Sequence, residues 1–540
     1  MHPDRIKLIL KIVAPVTLTS LFFLTLVFQF TSSVEAAGII FVDGLVSGGS
    51  DDGSDWANAY IDLQSALAVA TSGDEIWVAT GVYTPGTSAT DTFQLLDGVA
   101  IYGGFAATET ARSQRDWEAN LTVLSGDIDS DDTADSNGIV TDTANITGTN
   151  TYHIVTGDGV TTTAVLDGFT ITAGNALGVN CSNNGCGGGM YNSDGSPSLT
   201  NLIFSANHAQ FWGGGIYNES SYSTFTNVTF YANSTEEDSG GGMHNSSGLV
   251  TLNQVVFNNN SAGWNGGGAM FNGGTDAILN NVAFIGNSVP GDGGAILNSS
   301  SDIIMTNVMF SANSAQNGGG IFNVSSHPTL LNVTFSGNSA TGRGGGMDSI
   351  LGSRPAITNT IFWGNDAPEN PNMRSASGSV PTVSYSLIEG SGGSSSWDSS
   401  FGTDAGNNID SDPFFTFSIT ASQSPTLTAN LQLMIDSPAI NSGRDASYDG
   451  LYDTDLAGNN RVENETIDMG AYETLFASLL VTNAGSGEGR VSSDSADINC
   501  GITCTVRAEL DTTITLTAAT ETGSTFSGWS GSVSSLSNPI

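Results

Sequence analysis

Hydrophobic positions between residues 199 and 365 recur in a fixed pattern around a phenylalanine. Seven segments align on this Phe, which returns every 25 to 27 residues. An apolar residue stands five places before the Phe in all seven copies, and another stands two places before it in six. A repeat of this length predicts a solenoid in which each copy forms one coil, here called a rung. The seven aligned residues are Phe204, Phe230, Phe257, Phe284, Phe310, Phe335 and Phe362.

A polar column lies inside this apolar pattern, because Asn or Gln stands three places before every Phe. Strand side chains alternate between faces, so the apolar residue at minus five has the wrong parity to share a face with the Phe. Since Asn tolerates the left-handed conformation, we predict a bend at minus three that turns both apolar columns inward. Stacked Asn columns can also hydrogen-bond to each other. A further Asn completes the motif FxxN at Asn207, Asn233, Asn260, Asn287, Asn313, Asn338 and Asn365.

A glycine run precedes each of the seven phenylalanines, and a stretch of variable length separates it from the FxxN of the copy before. From the Asn after the glycines to the next Phe the spacing is 12 residues in six copies, and only Ser349 departs from it, with 13. The fixed part predicts a packed coil, and the variable part predicts an outer loop. The glycine runs recur in every rung and no Lys follows them, which favours a structural role over phosphate binding.

Short strands, Asn and Gly corners and an apolar interior predict an all-β fold, a right-handed parallel β-helix with a small C-terminal β module. Residues 62–70 read as an amphipathic helix and residues 73–83 as the first strands. We therefore predict an N-terminal cap with the first β-helix turns over 37–165, and the repeats over 166–390.

The first 36 residues have the order of a secretory signal. A basic start is followed by an apolar run and then by small residues, with Val34 and Ala36 fitting the cleavage rule. We predict a signal peptide over 1–36 and an extracytoplasmic chain, secreted or at the cell surface, with no membrane span after cleavage. Because the apolar run is long, an uncleaved anchor is the alternative.

The chain is strongly acidic, and removal of the signal peptide makes it more so. It takes away both lysines, Arg5, Asp4 and Glu35, which leaves 9 arginines against 51 acidic residues and a net charge of −42. Such a surface repels nucleic acid and anionic lipid, and an anionic polysaccharide would need divalent cations to approach it. Mechanisms that need a lysine are excluded.

Two close cysteine pairs, Cys181 with Cys186 and Cys500 with Cys504, are predicted to form local disulfides. An exported chain favours disulfides, and zinc sites usually bring matching Cys or His partners.

The repeats of residues 187–365, with FxxN and GG[AI]-type runs in register, resemble those of chlamydial polymorphic outer membrane proteins. The resemblance implies a β-helical protein that is secreted or exposed at the cell surface or outer membrane.

Two further resemblances concern the C-terminal part. The segments "IDSPAINSG", "TDLAGNNR" and "IDMGAYE" resemble the choice-of-anchor Q domain, which implies a C-terminal part of the β-helix over 391–474. The segments "GEGRVSSDSADINCGITC" and "GSTFSGWSG" are similar to internalin-type B repeats of cell-surface proteins. We expect an incomplete module of that type over 475–540.

The variable loops are the predicted binding surface, because indole rings at a rim suit sugar stacking or protein contact. We expect adhesion to a glycan or another cell-envelope component, without catalysis. Each Trp could instead pack over its own loop. The candidate ligand-binding residues are Trp212, Glu236, Glu237, Asp238, Trp264, Asp292 and Arg343.

The alternative function is a carbohydrate-active enzyme, a polysaccharide lyase or glycoside hydrolase, because many β-helices are such enzymes. Lyase chemistry needs a basic residue, yet only Arg343, Arg354 and Arg374 lie near the repeats. Hydrolysis needs paired carboxylates across a cleft, and the acidic pairs of so acidic a chain are expected by chance.

One acidic segment, "DIDSDDTAD", has Asp at the alternating positions that calcium favours. Asp127, Asp129 and Asp131 are the candidate ligands, and calcium is the one cofactor that the sequence suggests. The segment lacks the glycine and the distal Glu of an EF-hand loop, and a solvated acidic turn is the other interpretation.

Overall fold

The structure is a computed structural model that describes residues 38–421, 430–445, 454–461, 466–494, 498–501, 503–509 and 513–540. It is nearly all β, and its parallel coils stack into a β-solenoid, which confirms the predicted fold class. The predicted signal peptide lies outside the described residues. None of the described helices is long and apolar enough to cross a membrane.

Three parallel sheets run along the solenoid. The Phe sheet, which holds the Phe of each repeat, contains Ile39–Val42, Glu75–Ala79, Gly81–Tyr83, Ala100–Phe105, Thr122–Ser125, Val165–Thr172, Ser198–Ser205, Thr224–Tyr231, the end of Met243–Asn258, Asp276–Ile285, Ile304–Ser311, Thr329–Ser336, Ala356–Thr358, Ile361–Trp363, Thr382–Ser384, Leu387–Ile388 and Thr403–Asp404.

The Met sheet contains Phe93–Gln94, Val155–Thr156, Met190–Ser193, Ile216–Ser221, the start of Met243–Asn258, Met270–Gly273, Ile296–Ser299, Ile321–Val324, Met347–Ile350 and Met373–Ser375. The third sheet, here called the loop-side sheet, contains Asn175–Ala176, His208–Ala209, Ser234–Thr235, Ser314–Asn317 and Ser339–Arg343. The predicted variable loop therefore begins with a short stacked strand.

The predicted bend in the Phe sheet is confirmed. All seven residues at minus three, from Asn201 to Asn359 and including Gln254, have φ between 49° and 56°. Strands pair in register on both sides of the bend, so that Leu199 lies beside Phe225 and Phe204 beside Phe230. Both apolar columns consequently point into the lumen.

The seven phenylalanines form one continuous stack along the lumen. Neighbouring ring centroids are 4.3 to 5.0 Å apart and the ring planes lie within 8° of parallel. All seven side chains have no exposed surface. The spacing equals that of hydrogen-bonded strands, because each ring follows its own rung.

The N-terminal end of the lumen is covered by Leu63–Val69, the one α-helix among the described residues, which lies within the segment predicted to be helical. The Asp62 carboxylate accepts a hydrogen bond from the Ser65 backbone N–H and caps this helix, while Leu63, Ala66 and Leu67 are buried. At the other end Trp397 and Phe401 pack against the core. Short 3-10 helices lie at Trp56–Asn58, Arg112–Gln114, Thr143–Asn145, Cys181–Asn183 and Ser399–Phe401.

Residues 391–474, predicted as the C-terminal part of the β-helix, contain both parallel and antiparallel strand pairing. Parallel pairing ends near Ile409, and Phe415–Phe417 then pairs with Asn430–Leu433 in antiparallel fashion. The described residues between 415 and 473, here called the covering segment, pack against the outer face of the Phe sheet. They do so because outward positions of that sheet are apolar in several rungs, at Ala283, Met309, Ile361 and Leu387.

The C-terminal module is antiparallel. Phe476–Thr482 pairs with Thr503–Glu509, and Gly489–Ser493 lies between Asn499–Cys500 and Leu516–Thr520.

Candidate functional site

The residues predicted to bind a ligand all lie along one edge of the solenoid, here called the loop edge. It comprises the loop-side sheet, the residues that follow it and the first two residues of the Met-sheet strands in successive rungs. Backbone hydrogen bonds join neighbouring loops, for example from Glu237 N–H to Gln210 O (2.9 Å) and from Gly263 N–H to Asp238 O (3.0 Å). The loops are therefore stacked on one another. The structure places Trp212, Glu236, Glu237, Asp238, Trp264, Asp292 and Arg343 there.

Trp264 is the exposed aromatic residue of this edge. The residue is 72% exposed, whereas Ala262 and Asn265 on either side of it are hydrogen-bonded to neighbouring rungs. Ala262 N–H donates to Ser288 O (3.1 Å), and Asn265 Nδ2 donates to Asp238 Oδ1 (2.9 Å). The indole is thus presented to solvent on a fixed loop.

Trp212 lies differently, because its ring packs on its own molecule. Its indole stacks on Tyr217 and His244 with centroid distances of 5.9 and 5.0 Å. The stack continues to Phe271 on one side and Tyr191 on the other. For Trp212 the structure favours the interpretation that the ring packs over its own rung.

The imidazole of His244 is fully buried within this stack. Burial lowers its pKa to about 3, although the Ser239 side chain lies 3.1 Å from Nδ1. The ring is neutral at physiological pH, which suits its contacts with aromatic neighbours. The sequence contains these aromatic residues but does not reveal that four of them occupy one register column of the Met sheet, namely Tyr191, Tyr217, His244 and Phe271.

A chain of polar contacts occupies the C-terminal half of the loop edge. Asn317 Nδ2 donates to Asp292 Oδ1 (2.7 Å), and Arg343 Nε donates to Asn317 Oδ1 (3.1 Å). Arg374 Nη1 then donates to both oxygens of Asp348, which has no exposed side-chain surface (3.1 and 3.2 Å). The predicted Asp292 and Arg343 therefore belong to one network.

Sequence reasoning missed three members of that network, Asn317, Asp348 and Arg374. The signal for the last two was a spacing of 26 residues, one rung, between opposite charges. Burial raises the pKa of Asp348, against the lowering effect of Arg374. The hydrogen bonds to Asn317 and Asp348 hold the guanidinium groups of Arg343 and Arg374 against the solenoid.

The structure brings two of the three predicted metal ligands together with a third carboxylate, Asp132. Ligand oxygens of Asp127, Asp131 and Asp132 lie within 4.8 Å of one another. Asp129 is not in this group, and its Oδ2 accepts a hydrogen bond from Thr149 N–H (2.9 Å). Burial, together with the charges of Asp127 and Asp131, raises the pKa of Asp132.

The cysteine pairs differ in what the structure describes. Cys181 and Cys186 form a disulfide in the loop that precedes the first FxxN rung. The side chains of Cys500 and Cys504 lie outside the described residues, so this second bridge stays a prediction.

Comparison with known proteins gives a family match and similarities to solved structures. A family model of the Chlamydia polymorphic membrane protein repeat matches residues 201–219 and 281–299, each of which runs from the bend Asn through the FxxN motif and the glycine-containing corner. A crystal structure of pectate lyase Pel9A is similar, with a TM-score of 0.40 and 15% sequence identity, over 82% of this chain and 98% of that chain. No curated protein matches the chain.

Proposed function

We propose that this chain is an exported β-helix protein, held at or released from the cell surface, that binds a glycan or another envelope component without catalysis. The similarity of its repeats to those of polymorphic membrane proteins supports the location. The Cys181–Cys186 disulfide supports it independently, because disulfides persist in oxidising compartments. The resemblances to choice-of-anchor Q and internalin-type segments are in keeping with a surface protein.

The observation that carries the proposal is the exposure of Trp264. Most tryptophans are stabilised by burial, but Trp264 is 72% exposed. Its loop is nevertheless hydrogen-bonded on both sides. It is also preorganised, so a ligand that stacks on it would not have to order the loop first. The exposed, flat and apolar face of an indole suits stacking on the ring of a sugar.

The charges around Trp264 favour a neutral glycan over an acidic one. Glu236 and Glu237 are exposed one rung before Trp264, and Asp292 is half-buried one rung after it. Arg343 is the one basic residue among the predicted ligand-binding residues, and its Nε–H donates a hydrogen bond to Asn317 Oδ1. The local potential is therefore negative, and a uronic-acid polymer would be repelled.

The test is a binding screen of the purified chain against neutral and acidic polysaccharides, with product release measured alongside. We expect neutral-glycan binding without turnover, and Trp264→Ala should weaken it at least about tenfold, because aromatic anchors of this kind contribute about 2 kcal/mol. Tyr222→Ala is the matched control, since this aromatic side chain is 62% exposed outside the loop edge and should leave binding unchanged.

Two outcomes would contradict the proposal. Equal affinity of wild type and Trp264→Ala would remove Trp264 from the binding surface. Release of new reducing or unsaturated ends from any polysaccharide, abolished by one carboxylate substitution, would establish catalysis instead.

A further inference from the structure

Three carboxylates converge within residues 126–151, which precede the repeats and are here called the insertion. Ligand oxygens of Asp127, Asp131 and Asp132 lie within 4.8 Å of one another. No ion pair in the described part of the chain involves them. Like charges this close repel, and a cation between them would convert the repulsion into attraction.

A buried amide oxygen beside these carboxylates has no partner. Asn150 is 5% exposed, and its Oδ1 accepts no hydrogen bond. Its Nδ2 donates to Asp132 Oδ2 at 2.7 Å and to Ala173 O at 2.9 Å, so the carboxamide lies beside the acidic group. Because Oδ1 and Nδ2 share one carbon atom, Oδ1 lies within about 5 Å of that carboxylate oxygen. A buried acceptor without a donor is costly unless an ion or water satisfies it.

The backbone holds these oxygens in place. Asp127 pairs with Asn150 across an antiparallel bridge, and its Oδ1 accepts from Ser130 N–H at 2.7 Å. The Asp131 carboxylate packs directly on Gly148, where a Cβ would fall 2.3 Å from Oδ2. Gly148 also has φ +59°, a conformation that favours glycine. The close approach of the two segments therefore depends on this residue.

We propose that Asp127, Asp131, Asp132 and Asn150 bind a calcium ion. The donors are three carboxylates and one amide oxygen, and water would complete the shell, which is the all-oxygen set that calcium takes. No nitrogen or sulfur ligand is among them, which disfavours zinc. Magnesium demands stricter octahedral geometry and gives up its water reluctantly, so it should bind more weakly.

Calcium at this position would fasten the insertion to the solenoid. Val140 of the insertion packs against Ala173 and Ala206, and its carbonyl accepts a hydrogen bond from Ser205 Oγ (2.7 Å). These contacts lie beside the first FxxN rungs. The ion would therefore stabilise the N-terminal flank of the repeats in a medium that contains calcium.

The test is calorimetric titration of the purified full chain with CaCl₂, with MgCl₂ as the comparison. We expect one site with an affinity of about 10⁻⁴ to 10⁻³ M, the range of extracellular calcium modules, and cleavage within residues 126–151 by a protease should be slower in calcium than in EDTA. Asp131→Asn should weaken binding at least about tenfold. Asp135→Asn, which removes the same charge from the same loop outside the cluster, should not.

A second variant keeps the proposal testable if Asp131→Asn folds poorly. Asn150→Asp adds a fourth carboxylate, so it should lower the melting temperature in EDTA and regain that loss in calcium. A purely structural role of Asn150 predicts the same loss in both media. The proposal is overturned if the wild type takes up no calcium, if Asp131→Asn and Asp135→Asn weaken binding equally, or if calcium fails to rescue Asn150→Asp.

Discussion

Asn260 lies in the buried column that follows the phenylalanines, where its side chain is bonded on both sides. Its Oδ1 accepts hydrogen bonds from the backbone N–H and from Nδ2 of Asn233, each at 3.0 Å. Its Nδ2 donates to Phe230 O (2.9 Å) and to Asn287 Oδ1 (3.0 Å). No other side chain of this length offers two N–H donors together with a carbonyl acceptor, which explains why Asn recurs at this position.

Replacement of Asn260 by Ala should therefore cost more than a surface substitution. It leaves the buried backbone N–H of Asn233 without its acceptor, at a cost of about 1–3 kcal/mol, and it removes the hydrogen bonds to the side chains of Asn233 and Asn287 and to Phe230 O. We expect the free energy of unfolding to fall by about 3 kcal/mol or more, measured by urea denaturation with tryptophan fluorescence. Asn265→Ala removes one exposed hydrogen bond and should change stability by less than about 0.5 kcal/mol. Similar losses in the two variants would refute this account of the buried column.

The glycine corner is the element that limits how closely rungs can approach. Gly240 has φ +72°, and a Cβ on Gly241 would lie 2.2 Å from Ser261 O in the next rung. The first glycine is thus needed for its backbone conformation and the second for space. The same pair of requirements recurs at Gly213 with Gly214 and at Gly318 with Gly319.

The covering segment encloses a group of buried charges. Arg461 and Glu473 lie 3.9 Å apart, with side chains 0% and 2% exposed, and Asp455 and Asp468 are buried beside them. Burial, with repulsion from Asp468, raises the pKa of Glu473 to about 9 despite the opposing effect of Arg461. Glu473 is accordingly protonated in the folded chain at neutral pH.

This raised pKa predicts that alkali destabilises the folded chain. Between pH 4.5 and about 9 the folded state keeps a proton that the unfolded state has lost, so the stability contributed by Glu473 is full below pH 4.5 and declines as the pH rises. We expect Glu473→Gln to flatten the decline of urea midpoints over this range. Glu369→Gln, at an exposed position, should leave the slope unchanged. A slope that is identical in wild type and Glu473→Gln would contradict the assignment.

At the scale of the whole molecule, each rung in the repeat region makes most of its contacts with the rung before it and the rung after it. Phe204 stacks on Phe230 and Phe230 on Phe257, and the Asn columns follow the same order. Stability should then be close to a sum over rungs and their interfaces, as in other solenoids. The covering segment is the main exception, because it joins several rungs at once.

Deletion of one complete rung should therefore leave a folded chain. Removal of residues 234–260 joins Asn233 to Ser261, and Ser261 is the register partner of Ser234. We expect β-rich circular dichroism, a cooperative transition at a lower midpoint, and a particle shorter by about 5 Å in small-angle scattering. Deletion of half that length is the control and should unfold the repeats, because it displaces every inward side chain. Equal behaviour of the two deletions would show that register does not govern the fold.

Much of this architecture could be read from the sequence, because solenoid packing repeats the same contacts at every rung. The period, the inward columns, the bend at positions such as Asn227 and the glycine corners all follow from local stereochemistry applied seven times. The N-terminal helix could also be predicted, because its cap residue Asp62 and the apolar spacing that follows are local signals.

What the sequence alone determined was thus the coil and its repetition. Only the tertiary structure decided which side chains from distant positions meet. It placed Trp212 in an aromatic column while leaving Trp264 in solvent, exchanged Asp129 for Asp132 among the converging carboxylates, and brought the Tyr472 hydroxyl to the sulfur of Met309. These contacts depend on how loops of unequal length fold over the coil. No periodic signal reports them, because each occurs only once along the chain.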